Sequence, residues 1–292
     1  MSFNTEKRRT NDCPLVSVYI PTYNRLRLLK RAISSVLNQS YINIELLIVD
    51  DGSSDGTCDY LEALAKTESR VVILKKTGRR GAPASRNIAI FNAKGKYITG
   101  LDDDDFFCEG HISNLLNNYD SSLSCCFVRK QNYKDRFLSP IAFMTRRVGF
   151  YQLAHFNIIG NQVFTETWKI RQIKGFDEKL MAAQDYDTWL VLLKNFGLAK
   201  LVYSDTYRVD VSHGGQRITE NVQKKISAYK YICDKHDFNS VPSVARSFDL
   251  RCNLLACDFS RLPALAILDP KNSRYLKRVF SCAWYFYGLK KG

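Results

Sequence analysis

The chain has 292 residues, with 43 lysines and arginines against 29 aspartates and glutamates, a formal net charge of +14. Hydrophobic residues at 45% and charged residues at 25% exclude global disorder, and the length is ample for one large core or a catalytic domain with a smaller appendage. The basic balance suggests an anionic partner, whether nucleic acid, an acidic membrane surface or a phosphorylated substrate.

Nine cysteines are present without a CxxC pair. Zinc sites show tighter ligand pairs, so reduced cytosolic thiols filling core space are expected. The opening MSFNTEKRRT lacks the apolar stretch of a secretory signal. No apolar run reaches the roughly 18 residues of a membrane span. The expectation is an intracellular protein, soluble or peripheral.

Residues 1–13 read as a flexible arm. Leu15–Ile20 is a short apolar, β-branched strand that Pro21 should end. From Arg25 to Gln39, Leu28, Leu29, Ala32, Ile33, Val36 and Leu37 recur at helical spacing. Ile44–Val49 is a second buried strand. It leads into the turn Asp50-Asp51-Gly52-Ser53-Ser54-Asp55-Gly56, where Ser54 or Asp55 can cap the next helix. Val71–Leu74 is a third strand, followed by a basic loop from Lys75 to Arg80 and a helix from Ala82 to Ala93. Tyr97–Leu101 is a fourth strand, running straight into Asp102-Asp103-Asp104-Asp105. Strands alternating with helices imply right-handed crossovers, a largely parallel sheet and ligands at the carboxyl ends of the strands. Residues 120–215 are harder to read, although Gln184 opens a helical pattern through Leu193. Residues 216–292 look mostly helical.

The aspartate tract is the strongest chemical signal. Carboxylates this close repel one another, and hard oxygen donors suit magnesium or manganese. A metal there would screen a diphosphate leaving group. Asp50 and Asp51 could accept hydrogen bonds from a base or ribose, or could simply cap a turn. Pro21-Thr22-Tyr23-Asn24 stands where a dinucleotide enzyme would carry GxGxxG, and Tyr23 offers a flat face for a nucleobase. Arginine suits diphosphate oxygens, and of Arg79, Arg80 and Arg86 the last sits among small and apolar residues. Asp185 and Asp187 flank the start of the later helix, as bases or as first-turn charges. His213, in Ser212-His213-Gly214-Gly215, is of a type that ligates metals.

The order of these motifs resembles family 2 glycosyltransferases of the GT-A fold, particularly those of bacterial surface-polysaccharide (O-antigen or capsule) synthesis. The matching pieces are Val18–Asn24, Val49–Thr57, Ala84-Ser85-Arg86-Asn87, Gly95 through Asp105, and Gly175-Phe176-Asp177-Glu178 with Gln184-Asp185-Tyr186-Asp187. The resemblance covers about residues 14–215. It implies an α/β, Rossmann-like, mostly parallel sheet flanked by helices as the catalytic domain (14–215), with a helical C-terminal region (216–292) beyond it. It further implies that Pro21, Tyr23 and Asp51 meet the uracil side of a UDP-sugar and Arg86 the donor. Asp102 and Asp103 also fall on the donor nucleotide, and Asp104 with Asp102 and His213 on Mn2+ or Mg2+. Asp103 and Asp105 offer a second register for the DxD pair. Asp185 would be the general base of an inverting displacement onto a saccharide acceptor. Many members carry Glu before that base, where this chain has Gln184.

From Lys271 onward there are six basic residues and no acidic ones, with Leu276, Val279, Phe280, Ala283, Trp284 and Tyr287 at helical spacing. Such a basic amphipathic helix lies in a membrane interface or packs on the catalytic domain. An acceptor linked to polyprenyl diphosphate, met at the inner face of the cell membrane, is the corresponding expectation. A nucleotidyltransferase would more naturally show a Gly-rich phosphate loop. The other alternative is a non-enzymatic nucleotide- or nucleic-acid-binding protein. The aspartate tract argues against nucleic acid, which would have to bring its phosphates to that face.

Overall fold

The computed structural model describes residues 13–75, 81–132, 146–210 and 221–256. The first half alternates as its apolar periodicity requires: β1 (Val16–Thr22), α1 (Leu26–Leu37), β2 (Ile44–Asp50), α2 (Thr57–Thr67), β3 (Val71–Lys75), α3 (Ala82–Asn92) and β4 (Tyr97–Gly100). These four strands are parallel, in the order β3-β2-β1-β4, with Val16 opposite Ile44 on one side and Tyr97 on the other. Every residue of β1 except Pro21 is buried, as expected for a strand covered on both faces.

The strand does not stop at Pro21. It continues to Thr22, with Pro21 opposite Val49. Pairing of β1 with β4 ends at Tyr19 opposite Gly100, so Pro21 lies where β4 makes no demand on its missing N–H.

The second half is where the chain departs from simple alternation. It comprises β5 (Phe106–Phe107), α4 (His111–Asn118), β6 (Cys125–Asn132), β7 (Arg147–Val148), α5 (Phe150–His155), β8 (Phe164–Glu166), α6 (Thr167–Gln172), α7 (Gln184–Phe196) and β9 (Ala199–Val209). Among the described residues the sheet has nine strands in the order β3-β2-β1-β4-β8-β6-β9-β5, with β7 pairing on β9. Strand β8 is antiparallel to both β4 and β6, while β6 and β9 are parallel. The sheet is therefore mixed around a parallel centre. Two helices follow, α8 (Val222–Lys235) and α9 (Pro242–Leu255), joined through a 3-10 turn at Phe238–Ser240.

Side-chain alternation along the strands divides the core into two layers. Val16, Val18, Ile20, Leu46 and Ile48 face α1, α2 and α4, where Leu29, Ile33, Leu61 and Ile112 close the layer. Tyr19, Leu47 and Val49 face the other side, with Ala89, Ile90, Leu153, Ile170, Trp189 and Leu193. Helices α8 and α9 contribute Ala228, Ile232, Val244 and Phe248 to this second layer. Truncating a buried leucine such as Leu29 to Ala is expected to cost about 2–5 kcal/mol. Among the described residues, no helix is long and apolar enough to cross a membrane. The tail from Lys271 lies outside the described residues.

One backbone crossing shows how tightly the parallel centre closes. Gly95, just before β4, donates its N–H to Ser17 Oγ and to Glu45 Oε1, each at 2.9 Å. A Cβ there would lie 2.6 Å from Ser17 N and 2.8 Å from Tyr97 O. Both are backbone atoms that cannot swing aside. Gly95→Ala is therefore expected to destabilise the protein by about 1–3 kcal/mol, seen as a lower urea midpoint at unchanged slope.

Candidate functional site

The carboxyl ends of β1, β2 and β4 form one edge, and hydrogen bonds between loops fix it. Asn24 N donates to Ser53 Oγ at 2.8 Å, Ser54 N to Asn24 Oδ1 at 2.7 Å, and Leu26 N to Asp55 Oδ2 at 2.9 Å. Asn24 adopts a left-handed φ of 51°, which Asn tolerates better than most residues. The N-cap of α2 is Gly56 and not Ser54 or Asp55; Asp55 accepts the Thr57 N–H at 3.2 Å from one residue further back. Pro21 and Tyr23 stand half-buried on this edge. Asp51 is buried, and its Oδ2 accepts the Gly81 N–H at 2.9 Å, so it also braces the start of α3.

Strand β4 leads into the four aspartates, and their burial alternates. Asp103 and Asp105 are buried, while Asp102 and Asp104 are half-buried. Asp103 accepts from Thr22 Oγ1 at 2.9 Å and Arg25 Nη1 at 3.0 Å. Burial pushes its carboxyl up to about 6 against the pull of Arg25. Asp105 accepts from the Tyr207 hydroxyl at 2.8 Å and from Asp210 N at 3.2 Å. Asp102 takes Arg86 Nη2 at 2.8 Å and Gln162 Nε2 at 3.0 Å on one oxygen, and Asn161 Nδ2 at 2.8 Å on the other. Asp104 takes Arg25 Nη1 at 2.9 Å.

Oxygens of Asp102, Asp104 and Asp105 lie within 4.8 Å of one another. This is an all-oxygen donor set of the kind that suits a hard divalent cation. Asp103 stands apart from that group, turned to Thr22 and Arg25. Of the two registers open in the sequence, Asp102-x-Asp104 is the more exposed. His213 and the basic loop with Arg79 and Arg80 lie outside the described residues.

Arg86 is buried, its guanidinium over the Phe176 ring at 5.3 Å. Nε and Nη1 are buried with no hydrogen-bond partner. Donors in that condition are uncommon and call for an acceptor. The charges of Asp102 and Asp185 both act on Arg86 and on the Tyr19 phenol. Tyr19 in turn donates to Gln162 Oε1 at 3.1 Å.

Asp185 and Asp187 both fall in the first turn of α7, but their surroundings differ. Asp187 is buried, and takes Lys235 Nζ at 2.7 Å and His236 Nε2 at 2.9 Å. Lys235 also reaches Asp177 at 2.7 Å. The pair clasps α7 to α8. Asp185 is half-buried on the side of Arg86 and Tyr19. Sequence reasoning missed Arg25, Asn161, Gln162 and Tyr207. Arg25 adjoins the Pro21–Asn24 turn and could have been suspected there. Asn161 and Gln162 lie in an irregular stretch with no periodic signal.

A Rossmann-like sheet with carboxylates and a buried arginine at its carboxyl edge is the GT-A arrangement. Residues 17–176 match the family model Glycosyl transferase family 2. The chain is 37% identical over 233 residues to WcaA of Escherichia coli (strain K12), a protein assigned to colanic acid biosynthesis as a glycosyl transferase. That alignment covers 76% of this chain and 81% of WcaA. Among solved structures, Staphylococcus aureus TarS 1-349 in complex with UDP-GlcNAc superposes with a TM-score of 0.69 at 16% identity, over 88% of this chain and 77% of that one. The mannosyltransferase PcManGT of Pyrobaculum calidifontis, in complex with GDP-Man and Mn2+, gives 0.56 at 16% identity, over 94% and 87%. The chain belongs to glycosyltransferase family 2.

The clasp predicts a stability effect separate from any role in chemistry. Asp187→Ala leaves His236 and Lys235 without their shared carboxylate, and is expected to cost about 3 kcal/mol. Chemical denaturation of the full chain measures it.

Proposed function

We propose that the chain transfers a hexose from a UDP-sugar to a saccharide acceptor during assembly of a bacterial surface polysaccharide, inverting the anomeric carbon. The observation that carries this reading is Arg86, a buried cation with two unpartnered donors beside the Asp102–Asp104–Asp105 cluster. A diphosphate offers the acceptor oxygens that Arg86 lacks. In this reading the half-buried Tyr23 stacks on the uracil, while Pro21 and Asp51 shape the pocket for the nucleotide. Asp102 binds the donor end through its network, and Asp103 supports the donor loop through Thr22.

Asp104 and Asp102, with His213 as a further candidate, would hold Mn2+ or Mg2+, and the ion would supply charge to stabilise the departing diphosphate. Asp185 accepts the proton of the acceptor hydroxyl. The hydroxyl oxygen bonds to the anomeric carbon while the carbon–oxygen bond to the diphosphate breaks, its electron pair leaving with UDP. WcaA's assignment to colanic acid biosynthesis supports the polysaccharide setting. UDP-GlcNAc in TarS and GDP-Man in PcManGT show that proteins of this fold bind nucleotide-diphosphate sugars. The choice of UDP rests on the motif resemblance around Tyr23 and Asp51.

The decisive experiment compares Asp185→Asn with Asp187→Asn in UDP release from UDP-sugars with Mn2+, alongside calorimetry with UDP and GDP. General-base help is worth about 10²–10⁴ in rate, so Asp185→Asn should lose transfer by that order while still binding UDP. Full turnover in excess EDTA, normal turnover by Asp185→Asn, or a clear preference for GDP would each overturn the corresponding part of the reading.

The reading also takes the acceptor to be linked to polyprenyl diphosphate and met at the cytoplasmic face of the cell membrane. What supports it is the run of six cations among residues 271–292, each adding about 1 kcal/mol near an anionic leaflet. The full chain should co-sediment with anionic liposomes at low salt, and a chain ending at Pro270 should stay in solution yet still bind UDP. Equal sedimentation of the two would remove the tail as the anchor.

A further inference from the structure

Arg25 is a cation at the aspartate tract that neither the motif resemblance nor the proposed chemistry uses. Its Nη1 lies 3.0 Å from Asp103 Oδ1 and 2.9 Å from Asp104 Oδ2, so one guanidinium nitrogen bridges two adjacent carboxylates. The side chain is 29% exposed, against 17% for Asp104 and 9% for Asp103. It is therefore the more exposed partner in both contacts.

The backbone of the tract does not depend on this bridge. Arg31 Nη2 holds the main-chain oxygen of Asp104 at 2.6 Å, while its Nη1 is anchored on Asp210 at 2.6 Å. Thr22 holds the other oxygen of Asp103 at 2.9 Å. What Arg25 adds is positive charge on the carboxylate pair, at Asp103 Oδ1 and Asp104 Oδ2.

We infer that Arg25 is a resident counter-cation of the tract, which a divalent ion displaces from Asp104, so that Arg25 sets the affinity of the site for metal. This rests on the reading of Asp104 as a metal ligand. Without metal, Arg25 offsets the repulsion between Asp103 and Asp104. With metal bound, the guanidinium is a like charge beside the ion, and its partly exposed side chain has a path into solvent. The protein thus keeps a stable tract between metal-binding events at the expense of tighter binding.

The test titrates MnCl2 calorimetrically into the full chain without nucleotide, for wild type, Arg25→Gln, Arg25→Lys and Asp104→Ala, with thermal melts in EDTA and in Mn2+. Removing one unit charge a few ångströms from a divalent ion should tighten Mn2+ binding by about fivefold to tenfold at low ionic strength. Arg25→Gln should also melt lower than wild type in EDTA and gain more from Mn2+. Arg25→Lys keeps the charge and should stay near wild type in affinity. It also serves as the folded comparison should Arg25→Gln unfold in EDTA, in which case refolding on adding Mn2+ supports the inference and failure to refold overturns it. Unchanged or weaker Mn2+ binding by Arg25→Gln overturns it as well. If Asp104→Ala binds Mn2+ as wild type does, the metal-ligand reading itself fails and the inference falls with it. If Asp104→Ala loses binding while Arg25→Gln matches wild type, only the role of Arg25 is wrong.

Discussion

Four consecutive aspartates at the end of an apolar strand set the problem that the rest of this site solves. Adjacent unit charges a few ångströms apart repel by about 1 kcal/mol in water and by several times that near a protein surface. Beyond β4 the chain turns, with Asp105 N donating to the Asp102 main-chain oxygen at 3.1 Å, and the four carboxylates meet different environments. Asp103 and Asp105 go inward, to Thr22 with Arg25 and to Tyr207 with the Asp210 N–H. Asp102 and Asp104 remain half-buried at the edge. The inward pair fixes the tract, and the outward pair is presented by it.

The donors that make this possible come from distant parts of the chain, and the sheet order explains their arrival. Because β8 runs antiparallel to β4, with Phe164 opposite Thr99, the residues leading into β8 lie at the carboxyl edge of β4. That brings Asn161 and Gln162 onto Asp102. Strand β9 is parallel to β6, so its far end arrives at the same edge with Tyr207 and Asp210. Helix α1 starts there too, supplying Arg25 and Arg31. A wholly parallel sheet would have put a helix N-terminus where Asn161 and Gln162 now stand. The antiparallel strand is thus part of the site's construction.

Much of the parallel half was legible from sequence because its signals are local. Apolar β-branched runs gave β1 to β4 to within a residue or two, and helical spacing gave α1 and α3. The aspartate tract, Asp51 and Asp185 could be singled out because they sit at element ends, and Arg86 because it stands among small and apolar residues. What was hidden depends on pairing across the chain. Strand β8 is three residues long, too short for a period, and β9 carries polar residues through its middle. Asn161, Gln162 and Tyr207 matter through partners 46 to 102 positions away, which no window along the sequence contains. The difference between Asp102-x-Asp104 and Asp103-x-Asp105 belongs to the same class, since the sequence offers both and only burial separates them.

The same device recurs at α7. Asp185 and Asp187 are two positions apart in one helical turn and chemically identical, and only the motif resemblance singled out Asp185 in the sequence. Asp187 is drawn into the clasp with Lys235 and His236, which satisfies its charge and ties the helix to α8. Asp185 is left on the side of Arg86 and Tyr19, where its charge is felt by both. Holding Asp187 fixes the helical turn, and with it the backbone from which Asp185 projects. In both acidic clusters one carboxylate is immobilised by buried partners so that its neighbour is held in place at the cleft. The clasp therefore gives α8 a positional influence on the turn of α7 that carries Asp185. This follows from the packing of α8 into the same apolar layer as α7, where Ile232 and Trp189 belong to one cluster.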